Sequence, residues 1–120
     1  MDKVLASIKT ELKNRTDRFV LVTMAAGLSI DKIREFAGGD YPVIRIMPNT
    51  PVFVSEGMIL FTVKNVVEDE INGFLDALEH AGKLDKIDEK LIDAAGSLSG
   101  CGPAFVYLFA EALADGAVEC

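Results

Sequence analysis

Residues 19–46 read FVLVTMAAGLSIDKIREFAGGDYPVIRI, and the fold is decided here. Phe19-Val20-Leu21-Val22-Thr23 is continuously apolar and rich in β-branched residues, the pattern of a strand covered on both faces, as in a parallel sheet. Met24-Ala25-Ala26-Gly27 closes the run with small side chains. Ser29 suits a helix N-cap, and Ile30, Ile33 and Phe36 with Ala37 then give a short helix that stops at Gly38-Gly39. Tyr41-Pro42 opens a second apolar run, Val43-Ile44-Arg45-Ile46-Met47. Alternation of strand and helix in this way points to an α/β layer fold.

Upstream, Val4, Leu5, Ile8 and Leu12 share one helical face, which predicts a helix over 3–14. Downstream, Pro48-Asn49-Thr50-Pro51 breaks the second strand, and Met58 to Val63 is a third. The short connection makes these two antiparallel if they are neighbours. Val67, Ile71, Phe74, Leu75 and Leu78 form an amphipathic helix ended by Gly82, and Lys83 to Ile87 is a fourth strand. Asp88 can cap a helix through Leu91, Ile92 and Ala95, which Ser-Leu-Ser-Gly-Cys-Gly (97–102) terminates. Pro103 then suits the first position of a separate final helix. That helix is apolar nearly all round at Phe105, Val106, Tyr107, Leu108 and Phe109, as expected of one buried in a core or an interface. The predicted order is α-β-α-β-β-α-β-α-α, with residues 1–88 dividing from a helical region at 89–120.

The 120 residues fit one small domain or a piece of a larger one. Half of them are hydrophobic and the mean hydropathy is +0.29, more apolar than a typical soluble domain, which hints at a missing partner surface. A net charge of −7 argues against nucleic acid or an anionic membrane as the main partner. The apolar stretches are read as too short or too interrupted to cross a membrane, and no secretion signal follows Met1. Cys101 and Cys120 form no CxxC pair, which predicts two reduced thiols in a cytoplasmic protein. His80 is the only histidine, so neither a catalytic zinc nor a Ser/His/Asp set is expected.

Several motifs admit both a structural and a functional reading. Gly100-Cys101-Gly102 begins a GxGxxG pattern, but Phe105 takes the third glycine's place and the preceding element is a helix, so it is not a phosphate loop. No other glycine-rich loop follows a strand. Met24-Ala25-Ala26-Gly27 is either a tight turn or a place where a flat ring approaches the backbone beyond a strand's carboxyl end. Met47-Pro48-Asn49-Thr50-Pro51 is either a stiff turn or a rigid loop presenting polar groups to a ligand. Glu89, Lys90 and Asp93 are either solvated first-turn charges or cleft residues.

Taken together, VTMAAGLSIDKI, PVIRIMPNTPVFVSEGM and LIDAAGSLSGCGPAFVYLFAEALADGAV resemble the pyrroline-5-carboxylate reductases, in the family's order and close to its spacing. The resemblance covers essentially the whole chain. It implies the second half of a Rossmann-type dinucleotide-binding domain followed by the first helices of an all-α dimerisation domain. It also implies reduction of 1-pyrroline-5-carboxylate, a cyclic imine carboxylate, to proline with NADPH or NADH, in a homo-oligomer built through the C-terminal helices. By the same resemblance Met24, Ala25 and Ala26 lie against the cofactor near its nicotinamide, Pro48 and Asn49 belong to a loop facing the same cleft, and Glu89 lies near the substrate. Ser97 to Gly102 match the hinge into the helical domain, with Cys101 where the family more often has a small residue such as serine. The family's glycine-rich loop and its distal substrate-carboxylate loop have no counterpart in residues 1–120. A non-catalytic folding or dimerisation module, or a related imine or 2-hydroxyacid reductase, are the alternatives. No proline-forming turnover is therefore expected of the 120-residue chain alone. Incubating it with pyrroline-5-carboxylate and NADPH while following reduced-nicotinamide absorbance checks this, and sustained oxidation proportional to protein would contradict it.

Overall fold

The structure is a computed structural model describing residues 2–120. Its elements are α1 (Asp2–Asn14), β1 (Leu21–Thr23), α2 (Ile30–Ala37), β2 (Val43–Met47), a 3-10 turn (Thr50–Val54), β3 (Gly57–Lys64), α3 (Glu68–Ala77), β4 (Gly82–Lys86) and α4 (Glu89–Glu119). The four strands form one mixed sheet in the order β1-β2-β3-β4. β1 runs parallel to β2, β2 antiparallel to β3, and β3 parallel to β4. The α/β reading holds, and so does the antiparallel pairing expected from the short β2–β3 connection.

Alternation along β2 divides the core between the two faces of the sheet. Val43 turns toward α1 and α2, where it packs with Leu5, Leu12, Ile30, Ile33 and Ala37. Ile44 and Ile46 turn the other way and join Ile59 and Phe61 beneath Ile71, Phe74 and Leu75 of α3. The α2 helix forms as its local sequence dictates. Ser29 Oγ accepts from Lys32 N at 3.3 Å, and Gly38 closes the helix in the left-handed conformation at φ 77°. Glu70 ties α3 to the segment before β1 by taking the Arg18 guanidinium at 2.6 Å, which holds its carboxyl below the usual range.

Several expectations are corrected. β1 is shorter than the apolar run that predicts it and is not covered on both faces: it is an edge strand, and Val22 is 54% exposed. The run 19–23 is half-buried rather than fully covered, because β1 pairs on one side only. Gly82 does not end α3, which stops at Ala77; it opens β4 at φ 129°. A side chain there would collide with the Gly57 backbone, about 2.1 Å from where its Cβ would stand, so the glycine serves the close pairing of β3 with β4. Asp88 occupies the N-cap position of α4 without capping it through its side chain, which pairs with Lys90 at 3.1 Å instead.

The largest correction concerns the C-terminal third. The two helices predicted there are one, α4, running 31 residues through Pro103. Its residues Phe105, Val106, Tyr107, Leu108, Phe109 and Leu113 are exposed rather than buried within this chain. At 1.5 Å per residue such a helix is about 46 Å long. It gives the chain its extended shape, 67 × 29 × 23 Å. The merger also overturns the reading that every apolar stretch is too short to span a membrane: by length and composition alone, α4 is long and apolar enough.

Replacing Gly82 with alanine is expected to destabilise the chain by more than about 1 kcal/mol, because both the backbone angle and the space forbid a Cβ. Gly73→Ala, inside α3 with open space around it, is expected to stabilise by about 0.5–1 kcal/mol. Urea unfolding of the two variants beside the parent chain checks both signs.

Candidate functional site

The carboxyl ends of β1 and β2 point the same way, and the first three turns of α4 lie across them. Four α4 residues make the contact. Glu89 Oε1 accepts from the backbone N–H of Ile30, the first residue of α2, at 2.6 Å. Asp93 Oδ1 accepts from Arg45 at 2.5 Å and from the Gly27 N–H at 3.4 Å. Gly96 sits over Met47 so closely that a Cβ would meet the Met47 side chain at 2.5 Å. Ser99 offers its carbonyl to Asn49 Nδ2 at 3.0 Å. The spacings of four, three and three residues keep all of them on one helical face, with Ile92 fully buried among them.

Arg45 is the centre of this arrangement. It lies in the middle of β2, 2% exposed, on the same strand face as Val43 and Met47. Its guanidinium meets Asp93 and stands 3.9 Å from Glu89 Oε1. Its Nε is buried without an acceptor among the described residues. Glu89 thus uses a single oxygen to cap α2, where a carboxylate is favoured by the unpaired first-turn amides and the helix dipole. Its Oε2 takes no protein hydrogen bond among the described residues, and Glu89 keeps about a third of its side chain exposed.

The residues singled out from sequence fall around three adjoining hollows. Glu89 borders the largest, of about 660 Å³, with Gly27, Ser29, Lys32, Arg45 and Asp93. Ala26 lines a neighbouring one of about 330 Å³ with Gly27, Met47, Asp93, Gly96 and Ser97. Pro48 and Asn49 line a third of about 380 Å³ between the 3-10 turn and Gly100. Ala25 is buried behind this wall, and its N–H approaches Thr23 Oγ1 at 3.3 Å. Met24 is largely exposed and borders a groove between α1 and β1 with Val4, Leu5 and Ile8. A further hollow of about 510 Å³, at Arg15, Asp17 and Tyr41, lies at the amino end of β1. Ligands of open α/β sheets sit at the opposite end of the strands.

Arg45 and the pairing of Asp93 with it are what sequence reading missed. The signal was there: an arginine inside the apolar run VIRIM must find an anion, and Glu89 and Asp93 stand four apart on one helical face. Which carboxylate answers Arg45 is a tertiary fact.

These features define the class: a dinucleotide-domain type of α/β sheet whose parallel strand ends carry a small-residue turn, continuing into one long helix that closes the cleft. Comparison with known proteins narrows it. The sequence profile for pyrroline-5-carboxylate reductase dimerisation matches residues 89–120. The chain is 38% identical over 118 residues to the pyrroline-5-carboxylate reductase of Corynebacterium melassecola, covering 98% of this chain and 44% of that protein. It is 40% identical over 118 residues to the Arabidopsis thaliana pyrroline-5-carboxylate reductase, covering 97% and 42%. The fold superposes on Plasmodium falciparum pyrroline carboxylate reductase with NADP bound at a TM-score of 0.86 and 37% identity, covering 98% of this chain and 46% of that one. The Streptococcus pyogenes 1-pyrroline-5-carboxylate reductase superposes at 0.81 with 30% identity. The chain is a homologue of the pyrroline-5-carboxylate reductases and shares their sequence and fold over nearly its whole length. It spans a little under half the length of the relatives it matches.

Asp93→Ala removes the closest anion from a buried guanidinium and is expected to cost about 2–3 kcal/mol. Arg45→Met with Asp93→Ala together should cost less than the sum of the two single changes, which a double-mutant cycle by urea unfolding measures.

Proposed function

We propose that this chain supplies the substrate-side wall of an NAD(P)H-dependent reductase that converts 1-pyrroline-5-carboxylate to proline. The observation that carries the reading is the placement of Glu89, with one oxygen engaged by the amino end of α2 and the other uncommitted beside the small-residue turn at the end of β1. The relatives that resemble the chain along its length are named as enzymes of this activity, and one is seen with NADP bound.

The residues present suit the nicotinamide end of such a cofactor. Ala26 and Gly27, with Ala25 buried behind them, leave the backbone open at a strand's carboxyl end, where a flat ring needs close approach. The cofactor, when bound, supplies the hydride. Hydride addition to a C=N bond is easier when the nitrogen carries a proton, and a nearby carboxylate favours the protonated form. Glu89 Oε2 would hold that proton at the imine nitrogen. Asp93, through Arg45, keeps the cleft wall of α4 in register with β2. Pro48 stiffens the loop that continues the wall, and Asn49 belongs to the same loop. Met24, largely exposed just after β1, borders the cofactor from the same strand end in this reading.

The division at residues 88/89 belongs to the proposal, with α4 as the first helix of a dimerisation domain. Burying an exposed phenylalanine or leucine is worth about 1.5–3 kcal/mol, and α4 presents several on all sides, which a second copy would cover. The exposed free thiols of Cys101 and Cys120 suit a reducing compartment such as the cytoplasm.

A chimera tests the reading. Residues 2–119 in place of the matching segment of the Corynebacterium melassecola reductase should restore NADPH-dependent reduction of pyrroline-5-carboxylate. Glu89→Ala in that chimera should then lower kcat/KM for the imine at least tenfold. Kinetics within twofold of the unsubstituted chimera would return Glu89 to a purely capping role. Preference for a 2-hydroxyacid's oxo form over the imine would favour a related reductase instead.

A further inference from the structure

A proline within a helix leaves one carbonyl without its donor, four residues earlier, and its ring crowds that carbonyl. For Pro103 the abandoned acceptor is the Ser99 carbonyl. Ser99 is half-buried against the sheet, where water serves it poorly and a lost hydrogen bond is costly. Yet α4 continues unbroken from Glu89 to Glu119. Two features account for this. Gly102, just before the proline, has no Cβ to clash with the ring, which removes part of the usual bias of a pre-proline residue away from the helix. The other feature is Asn49, whose Nδ2 donates to Ser99 O at 3.0 Å, the very group Pro103 cannot serve. Asn49 is itself held: its Oδ1 accepts from the Met58 N–H at 2.8 Å, at the start of β3.

From this geometry we infer that Asn49 stands in for the amide that Pro103 lacks, and so carries α4 across the proline and positions its distal half, residues 100–119. Asn49 is a positioning residue, and the loop after β2 has a second task besides bordering the cleft. Beyond Ser99 no hydrogen bond or ion pair among the described residues ties α4 to the rest of the chain, and from Phe105 onward its apolar side chains are exposed. The Asn49–Ser99 bond is the last fastening before the free part of the helix. The inference concerns α4 alone and stands whether or not the reductase reading does.

The test is a double-mutant comparison on the 120-residue chain, read by hydrogen exchange at the amides of Ala104 to Tyr107, which follow the proline. With Pro103 in place, Asn49→Ala is expected to raise exchange there at least tenfold. With Pro103→Ala, which returns an amide to Ser99 O, the same change should raise it less than threefold. A general structural role for Asn49, exerted through Met58, would act equally in both backgrounds. Asn49→Asp keeps the acceptor for Met58 and loses only the donor to Ser99, so it should reproduce the dependence on Pro103. A rise confined to the Pro103 background, or a variant whose fold is recovered by Pro103→Ala, carries the inference. A rise equal within threefold in both backgrounds, no rise in either, or failure to fold whether or not Pro103 is replaced, overturns it.

Discussion

A guanidinium inside a β-sheet must be answered by an anion, and the answer to Arg45 organises the cleft end of this molecule. The strand holding it is buried along most of its length, so water cannot supply the counter-charge. Asp93 and Glu89 supply it from α4, and in doing so they pin that helix across the carboxyl ends of β1 and β2. The same two carboxylates reach the backbone between β1 and α2, at Gly27 and Ile30. One buried charge thus links a central strand, a strand-end turn, a helix start and the long helix. The Glu89 carboxyl is held at the border of the hollow beside Arg45 by its bond to the Ile30 N–H.

α4 has two halves with different physics. The first is fastened by ion pairs, by the close approach of Gly96 to Met47, and by Asn49 at Ser99. The second touches little of its own chain and exposes aromatic and aliphatic side chains on every side. A helix with no polar face is stable in water only under cover. Residues 89–120 are also the segment that the dimerisation profile matches. An apolar helix of this length also meets the composition of a membrane span, but Glu111 and Asp115 on the free half would carry charge into any such setting.

The sheet also leaves an apolar strand at its edge. β1 is apolar enough for a central position yet stands at the edge with Val22 exposed. Its free side offers unpaired backbone groups and an apolar surface, the conditions under which a further strand pairs.

Much of the architecture was legible in local sequence. Ser29, the period of Ile30 and Ile33, and Gly38 mark α2 to the residue because capping and periodicity act within a few positions. The strands VIRIM and GMILFTVK announce themselves by apolar, β-branched runs bounded by breakers. The small turn after β1 and the acidic start of α4 were likewise visible as candidates for a site. Sequence alone could not decide whether Pro103 begins a helix or lies within one. That depends on whether some donor reaches Ser99 O, and the donor comes from Asn49, fifty residues away. Nor could it say which acid meets Arg45. Local patterns are set by backbone geometry and side-chain period. The pairing of a buried charge and the rescue of an orphaned carbonyl are set by which distant groups the folded sheet brings within hydrogen-bond reach, and that only the tertiary structure decides.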